Sequence, residues 1–434
     1  MSGIIKKILV QKRTKLVNEK IELYKSVTDR TDIENYQLKS FNDSWRIIQN
    51  SNHFYKYWKL KHNLPRKIDS LVDLADFPIL DKKNLIEYQD LIFKDNKYSS
   101  ISTGGSTGVP LKFPYNISDR DLYYSNMYLG RSWWGISPYD NFISIWGHSH
   151  LFGEGIKSKF LVIERKIKDF LLGIDRFSAY DLNEKLINDI SNSIQRNKCS
   201  YIIGYSSAIF KLVSNINKSN PDKFLSNNLK GVILTSETVS NYEINLVKDV
   251  LNTNCIIEYG MAEAGVIAFS SPINLFLKVF WDSFILRQIQ GEAILTTIDH
   301  KSFPLINYST GDFLKNHGDE FSILEFEKVI GRKHDILFLK INDCYIDVHG
   351  EIFTHVLKSI NFLLAFQIVQ NEDYSIDINY ESASNATINN MFFDSLKREF
   401  PDLNIGQFKF NKVDSIRLTK AGKRKWIINN SSRI

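Results

Sequence analysis

The sequence predicts an α/β protein. Its large N-terminal domain has mixed, largely parallel sheets with helices plus a β subdomain, and a small mobile α+β domain follows. Three observations carry this reading. Between residues 142 and 261, short apolar runs alternate with helical patterns, as in "KCSYIIGYSSAIFKLVSNI" and "LKGVILTSETVSNYEINLVKDVL". From about residue 276 to 332, strand-like runs follow one another without helices: "FLKVFWDSFIL", "GEAILTTID", "LINYSTGDFL" and "FSILEFEKVIGR". After Arg332 a shorter mixed pattern begins. The division falls into residues 1–331 and 332–434.

The elements follow in order. Residues 1–95 read as mostly helical and polar-faced, with "FYKYWKL" (Phe54 to Leu60) as packing. At the N-terminus, Ile4, Ile5, Ile8 and Leu9 fall at helical spacing beside Lys6 and Lys7. Such a basic helix either makes peripheral membrane contact or packs on the body as a first helix. It is no signal peptide, because no small-residue cleavage site follows. "ISDRDLYYSNMYLGRSWWG" reads as a helix with Ser118 as N-cap. "NFISIWGHSH" reads as a strand, and "NCIIEYGMAEAG" as strand then loop. In the last domain, strands are expected near 336–347, 364–380 and 406–416, with a helix near 387–399.

Composition narrows the function. The chain has 434 residues, 43% of them hydrophobic and 24% charged, with 29 Phe, 20 Tyr and 7 Trp, so it can build a large core. A net charge of +6, mixed along the chain, does not call for nucleic acid. Cys199, Cys255 and Cys344 are odd in number and widely spaced. That pattern predicts neither a disulfide framework nor a zinc site, and suits a cytoplasmic setting. No apolar run reaches the roughly 18–20 residues of a transmembrane helix.

One stretch demands a chemical reason. "STGGSTGVPLKF" (Ser102 to Phe113) gathers three glycines and four hydroxyl residues, then Lys112. Clustered backbone N–H groups, hydroxyl donors and one ammonium make a phosphate cradle; the bland alternative is a flexible turn. The stretch fits neither the P-loop nor the dinucleotide fingerprint, and Pro110 with the β-prone residues after it sends the loop into a strand. Polar clusters recur where strands end: "GYSS", "TSET" and "EYGMAE". In open α/β sheets ligands bind at such ends.

Together these motifs resemble those of the adenylate-forming ligases, which include acyl-CoA synthetases and peptide-synthetase adenylation domains. "TGGSTGVP" (Thr103 to Pro110) resembles their signature loop. "YGMAEAG" (Tyr259 to Gly265), "YSTGD" (Tyr308 to Asp312), "GRKHD" (Gly331 to Asp335) and "TKAGKRK" (Thr419 to Lys425) follow in family order. The look is that of the phenylacetate–CoA ligase-like branch with capsular polysaccharide proteins of the CapK type. The resemblance spans roughly residues 95–430 and implies ATP and Mg²⁺ as cofactors. It implies that Thr103, Gly104, Gly105, Ser106, Thr107, Gly108 and Lys112 hold the β- and γ-phosphates. Glu263 would bind Mg²⁺, a hard ion suited to carboxylate oxygen. Tyr259 would stack on adenine, with Ser236, Glu237, Gly260 and Met261 around it. Asp312 and Arg332 would reach the ribose, since a carboxylate can accept from two hydroxyls. Lys423 would bridge the reacting carboxylate and the α-phosphate. His148, Tyr205 and Ser206 are candidate acid-binding residues.

The expected activity is ATP-dependent ligation of a small carboxylic acid to an acceptor, an amine or CoA. The CapK-like look points to polysaccharide or surface-glycan synthesis. Two departures favour an amine: His334 replaces the first acidic residue of the hinge motif, and "ILFLKINDCYIDVHGEIF" lacks the glycine expected a few residues past the hinge. Ala262 replaces the hydroxyl residue before Glu263. An acyl- or aryl-CoA ligase is one alternative, and a non-catalytic scaffold or sugar-binding protein another. "GYSSA" (Gly204 to Ala208) approaches a nucleophile elbow, with His300 or His317 as partner. His148 and His150 have ligand-like spacing but no third ligand.

Overall fold

The computed structural model describes all residues except 1, 95–98, 103–110, 147–155, 180–183, 196–198, 220–228, 299–301, 333–334, 342–343, 359, 361, 383–386, 398–399, 401, 418–423 and 432–434. The chain opens with helices α1 (Ser2–Ser26), α2 (Arg30–Ser51) and α3 (His53–His62), then the short α4 (Lys82–Glu87) and α5 (Gln89–Ile92). Ile33, Gln37, Phe41, Trp45 and Gln49 recur every fourth residue of α2 and form its buried stripe. Asn52 ends α2 and caps α3, its side chain accepting from Tyr55 N at 3.0 Å. Phe54, Tyr55 and Trp58 are buried as packing; Tyr55 Oη donates to Pro304 O at 2.6 Å.

The first helix packs on the body. Val10 and Val17 of α1 are buried. Lys6 Nζ donates to Asn141 Oδ1 (2.8 Å) and Asp140 O (3.1 Å). Lys20 binds Asp282, Asn126 and Ser283. Arg13 lies over the Tyr124 ring at 4.6 Å.

Strands β1 (Ser99–Ser102) and β2 (Lys112–Tyr115) pair antiparallel, Ser102 opposite Lys112, on either side of residues 103–110. This agrees with a loop that runs into a strand. Helix α6 (Ile117–Ser132) follows. Its N-cap is Asn116, not Ser118: Asn116 and Asp119 exchange side chain-to-backbone hydrogen bonds in a capping box. Asn accepts as well as Ser there, and the box starts the helix two residues earlier.

The main layer alternates as expected: β3 (Phe142–Trp146), α7 (Ile156–Leu172), β4 (Ile174–Ser178), α8 (Glu184–Gln195), β5 (Tyr201–Tyr205), α9 (Ser206–Ser219), β6 (Gly231–Thr235), α10 (Asn241–Leu251) and β7 (Cys255–Met261). Then come β8 (Gly265–Ser270), β9 (Leu277–Val279), β10 (Phe284–Ile289), β11 (Glu292–Thr297), β12 (Tyr308–Lys315), β13 (Glu325–Phe326) and β14 (Lys328–Arg332). The eight-stranded sheet has the order β13-β9-β8-β7-β6-β5-β3-β4, parallel from β4 to β7 and antiparallel beyond. Period-two alternation sends Tyr201, Ile203, Ile233 and Ile256 to one core and Ile202, Val232, Leu234 and Cys255 to the other. Between 151 and 197 the sequence predicts no element, and α7, β4 and α8 lie there. A four-stranded antiparallel sheet, β10-β11-β12-β14, forms the β subdomain.

The C-terminal part holds β15 (Ile336–Ile341), β16 (Cys344–His349), α11 (Glu351–Lys358), β17 (Leu363–Gln370), β18 (Ile376–Ser382), α12 (Asn389–Leu396), β19 (Phe408–Lys412) and β20 (Ile427–Asn429). The sheet order is β19-β18-β17-β20, with its own core around Phe353, Ile368, Ile378 and Phe392. The expected strand at 364–380 is a hairpin of two, turning at Tyr374 with φ +64°.

Candidate active site

The strand ends bring three of the expected residues together. Asp312 on β12 lies opposite Arg332 on β14. Arg332 Nε is 3.3 Å from Asp312 Oδ1, and Tyr259 Oη of β7 donates to Asp312 Oδ2 at 2.9 Å. Gly311 is left-handed at φ +74°, a conformation costly for other residues, and it turns β12 so that Asp312 faces Tyr259. Thr310 Oγ1 donates to Ala293 O (2.9 Å) and accepts from Asp312 N (3.1 Å), fixing the turn. Burial pushes the Asp312 carboxyl above its ordinary value, while Arg332 and Tyr259 pull it back. The Arg332 guanidinium is held charged, chiefly by Asp312.

Glu263 joins the same group. Burial raises its carboxyl, with Lys82 and Arg332 opposing. A lone half-buried carboxylate is the donor set expected for Mg²⁺, which keeps waters and substrate phosphates as its other ligands. Among the described residues no cluster of three or more His, Cys, Asp or Glu could hold a metal without such help.

Ser236, at the end of β6, has φ +70°, rare for a residue with a side chain. Glu237 accepts from Ser207 N (2.7 Å) and Ser207 Oγ (3.1 Å), tying the β6 end to the start of α9. Tyr205 is buried with its ring 4.7 Å from that of Trp146, and Ser206 is buried with its hydroxyl unpartnered. Gly260 and Met261 close β7, and Lys112 is exposed at the start of β2. His317 is paired with Glu327 at 2.7 Å, which occupies the histidine that a nucleophile-elbow reading would need. Thr103 to Gly108, His148, His150, His300, His334 and Lys423 lie outside the described residues. Arg424, next to Lys423, is described. Burial lowers its guanidinium below the ordinary value, and Glu237, Glu381 and Glu243 oppose this only partly.

Sequence reasoning missed a second cluster. A cavity of about 370 Å³ lies between α1, α6 and the sheet, lined by Arg13, Tyr123, Tyr124, Tyr128, Trp146 and others. Its lining includes the buried polar side chains Arg131 of α6 and Glu258 of β7, 3% and 6% exposed, and Ser144 of β3, with Arg13 and Arg176 beside them. Arg131 Nη1 donates to Tyr201 Oη at 2.9 Å, and its guanidinium faces the Tyr128 and Tyr201 rings. Arg131 Nη2 is 3.8 Å from Glu258 Oε2, yet Glu258 Oε2 and Arg131 Nε have no hydrogen-bond partner. Each such buried group costs about 1–3 kcal/mol. The spacing of Tyr124, Tyr128 and Arg131 at i, i+4 and i+7 was the available signal.

The architecture has close parallels. A 2-hydroxyisobutyryl-CoA ligase in the postadenylation state, in complex with R3-HIB-AMP, superposes with a TM-score of 0.70 at 14% identity, over 93% of this chain and 90% of that one. Residues 345–430 match the CapK C-terminal domain. The chain has the adenylate-forming ligase fold, and its residues 345–430 are similar to the CapK C-terminal domain. Protein CapK of Staphylococcus aureus is 23% identical over 445 residues, covering 99% of this chain and 96% of that protein. The same CoA ligase in its thioesterification state, with CoA, gives a TM-score of only 0.54 at 93% and 91% coverage. This chain therefore superposes better on the postadenylation structure of that ligase than on its thioesterification structure. Amide bond synthetase McbA from Marinactinospora thermotolerans gives 0.50 at 15% identity, over 73% and 66% of the two chains.

Proposed function

We propose that this protein is an ATP-dependent ligase that activates a carboxylic acid as its acyl-adenylate. The observation that carries the reading is the Tyr259–Asp312–Arg332 cluster at the strand ends. A carboxylate oxygen of the acid attacks the α-phosphorus; the bond to pyrophosphate breaks as the new P–O bond forms. Residues 103–108 and Lys112 cradle the departing phosphates. Asp312 accepts from the ribose hydroxyls, Arg332 assists, and Tyr259 with Ser236, Glu237, Gly260 and Met261 frames the adenine. Glu263 holds Mg²⁺, which neutralises phosphate charge. Lys423 places a fixed positive charge at the reacting oxygens.

In the second step a nucleophile attacks the acyl carbonyl and AMP leaves. An amine acceptor in polysaccharide or surface-glycan synthesis fits the CapK C-terminal domain and the departures at 334 and beyond. A CoA acceptor is the second reading, favoured by the CoA ligase with the same architecture. A cytoplasmic setting suits a reaction that consumes ATP, and α1 would serve the body of the protein rather than a membrane.

ATP–pyrophosphate exchange across a panel of acids tests adenylation. Equal CoA and primary amine, offered with an active acid, then separate the acceptors. Amide product is expected; predominant thioester would establish the second reading. Acid-independent ATP turnover, or none, would sink the ligase reading.

A further inference from the structure

We propose that the Arg131–Glu258 pair sets acid specificity, and that it selects a small carboxylic acid carrying neutral hydroxyl or amide groups over an aryl or alkyl acid. This rests on the adenylation reading above and names its substrate class. The cavity lies near the proposed nucleotide site, since Glu258 is the chain neighbour of Tyr259 on β7, with the two side chains on opposite faces of the strand. It adjoins it by packing too: the Tyr123 ring sits against Gly265, at φ +83°, where a Cβ would meet Tyr123 at 2.7 Å. At about 370 Å³ the cavity suits one small molecule.

Its polar groups define the guest. Arg131 Nε is an unused donor and Glu258 Oε2 an unused acceptor, both in nearly fully buried side chains. A hydroxyl both accepts and donates, and a secondary amide offers C=O and N–H side by side; either can serve the pair. Arg13 and Arg176 also line the cavity and are paired with Asp121 and Asp169, so beside Arg131 a second carboxylate on the guest would face Glu258, and an ammonium would face Arg131. An apolar ring would leave both groups unpartnered. Tyr123, Tyr124, Tyr128 and Trp146 supply flat aromatic walls against which the carbon faces of a hydroxylated ring can pack.

The test uses the full chain, with galacturonate, gluconate and N-acetylated amino acids against size-matched cyclohexanecarboxylate and phenylacetate. Binding is read without ATP by saturation-transfer NMR and calorimetry, and pyrophosphate exchange is measured separately. Two variants accompany the wild type: the isosteric Glu258→Gln, and Arg131→Met/Glu258→Leu, which removes both charges together. At least one hydroxylated or acylamino acid should bind about 10²-fold or more tightly than the apolar acids, since a site built for hydrogen bonds rejects analogues that lack them. The double variant, folded by melting temperature, should erase that preference. Equal or better binding of the apolar acids, no binding by any polar acid, or an unchanged preference in the folded double variant would overturn the proposal. Exchange driven best by apolar acids refutes this pocket and spares adenylation. Polar-acid binding without exchange does the reverse.

Discussion

Two buried carboxylates flank Tyr259: Glu258 precedes it in the chain, and Asp312 takes its hydroxyl hydrogen bond. Each stands beside an arginine, but the settings differ. Asp312 has Tyr259 at 2.9 Å and Arg332 at 3.3 Å, and the Arg332 side chain is 55% exposed. Glu258 has Arg131 only at 3.8 Å, with one oxygen unpartnered, and the Arg131 side chain is 3% exposed. The first pair is satisfied before any ligand arrives, and its arginine can swing out to admit one. The second is enclosed and under-satisfied, so it gains hydrogen bonds only from a guest of the right shape. Under the proposed function, the first site would take the nucleotide and the second would choose the acid.

The contrast breaks most violently if one member of the enclosed pair is removed. Arg131→Met leaves Glu258 buried without a counter-charge, and breaking a buried pair in this way costs about 3–5 kcal/mol. Arg131→Met/Glu258→Leu should recover most of that loss. Urea unfolding of both variants decides it; equal losses would mean that packing, not charge, governs the floor.

Next in size is Lys423→Ala. The resemblance of "TKAGKRK" to the ligases' C-terminal motif assigns Lys423, under the proposed function, to the reacting oxygens. Losing one such electrostatic donor should slow adenylate formation by about 10²–10³ with little change in ATP affinity. Preformed acyl-adenylate should still be consumed normally. Single-turnover assays of the two half-reactions check this; equal damage to both would assign the segment a folding role.

The open site was legible in the sequence and the enclosed one was not, for a physical reason. Tyr259, Glu263, Asp312 and Arg332 belong to loop and strand-end motifs, where chemistry fixes residue types at short spacing. Arg131 and Glu258 meet only because α6 crosses the sheet face, 127 residues apart in the chain. No local pattern pairs them. The parallel sheet was equally legible, since β5 and β6 are buried on both faces and read as unbroken apolar runs. The Ser118 cap failed because Asn116 and Asp119 make a competing box, and β4 escaped because "IDRFS" is a half-buried edge strand.

A smaller effect probes the open site. Asp312→Ala removes a charged acceptor for two ribose hydroxyls, each bond being about 1.5–3 kcal/mol. Because Tyr259 and Arg332 also lose their partner, nucleotide affinity should fall tenfold or more while acid binding in the cavity stays unchanged. Calorimetry with ATP and with the acid separates the two sites. Loss of both would show that they form one unit.

The finest test is the pH dependence of the enclosed carboxylate. Burial raises Glu258 above its ordinary value near 4.5, and Arg131 and the Thr235 hydrogen bond oppose it only partly. The folded protein therefore holds this proton more tightly than the unfolded chain does. Its contribution to stability is fully present below the unfolded value and is lost as pH rises through the folded one. Glu258→Gln has no such proton. The stability of wild type minus that of Glu258→Gln should therefore fall as pH climbs from about 4.5, then level off once the folded group has ionised. Each tenfold difference in proton affinity corresponds to about 1.4 kcal/mol. Urea midpoints at half-unit pH steps give the difference directly, because carboxylates common to both proteins cancel. A difference that grows with pH would mean that Arg131 outweighs burial. The pair would then be a tight ion pair already content with itself, with little left to offer a guest.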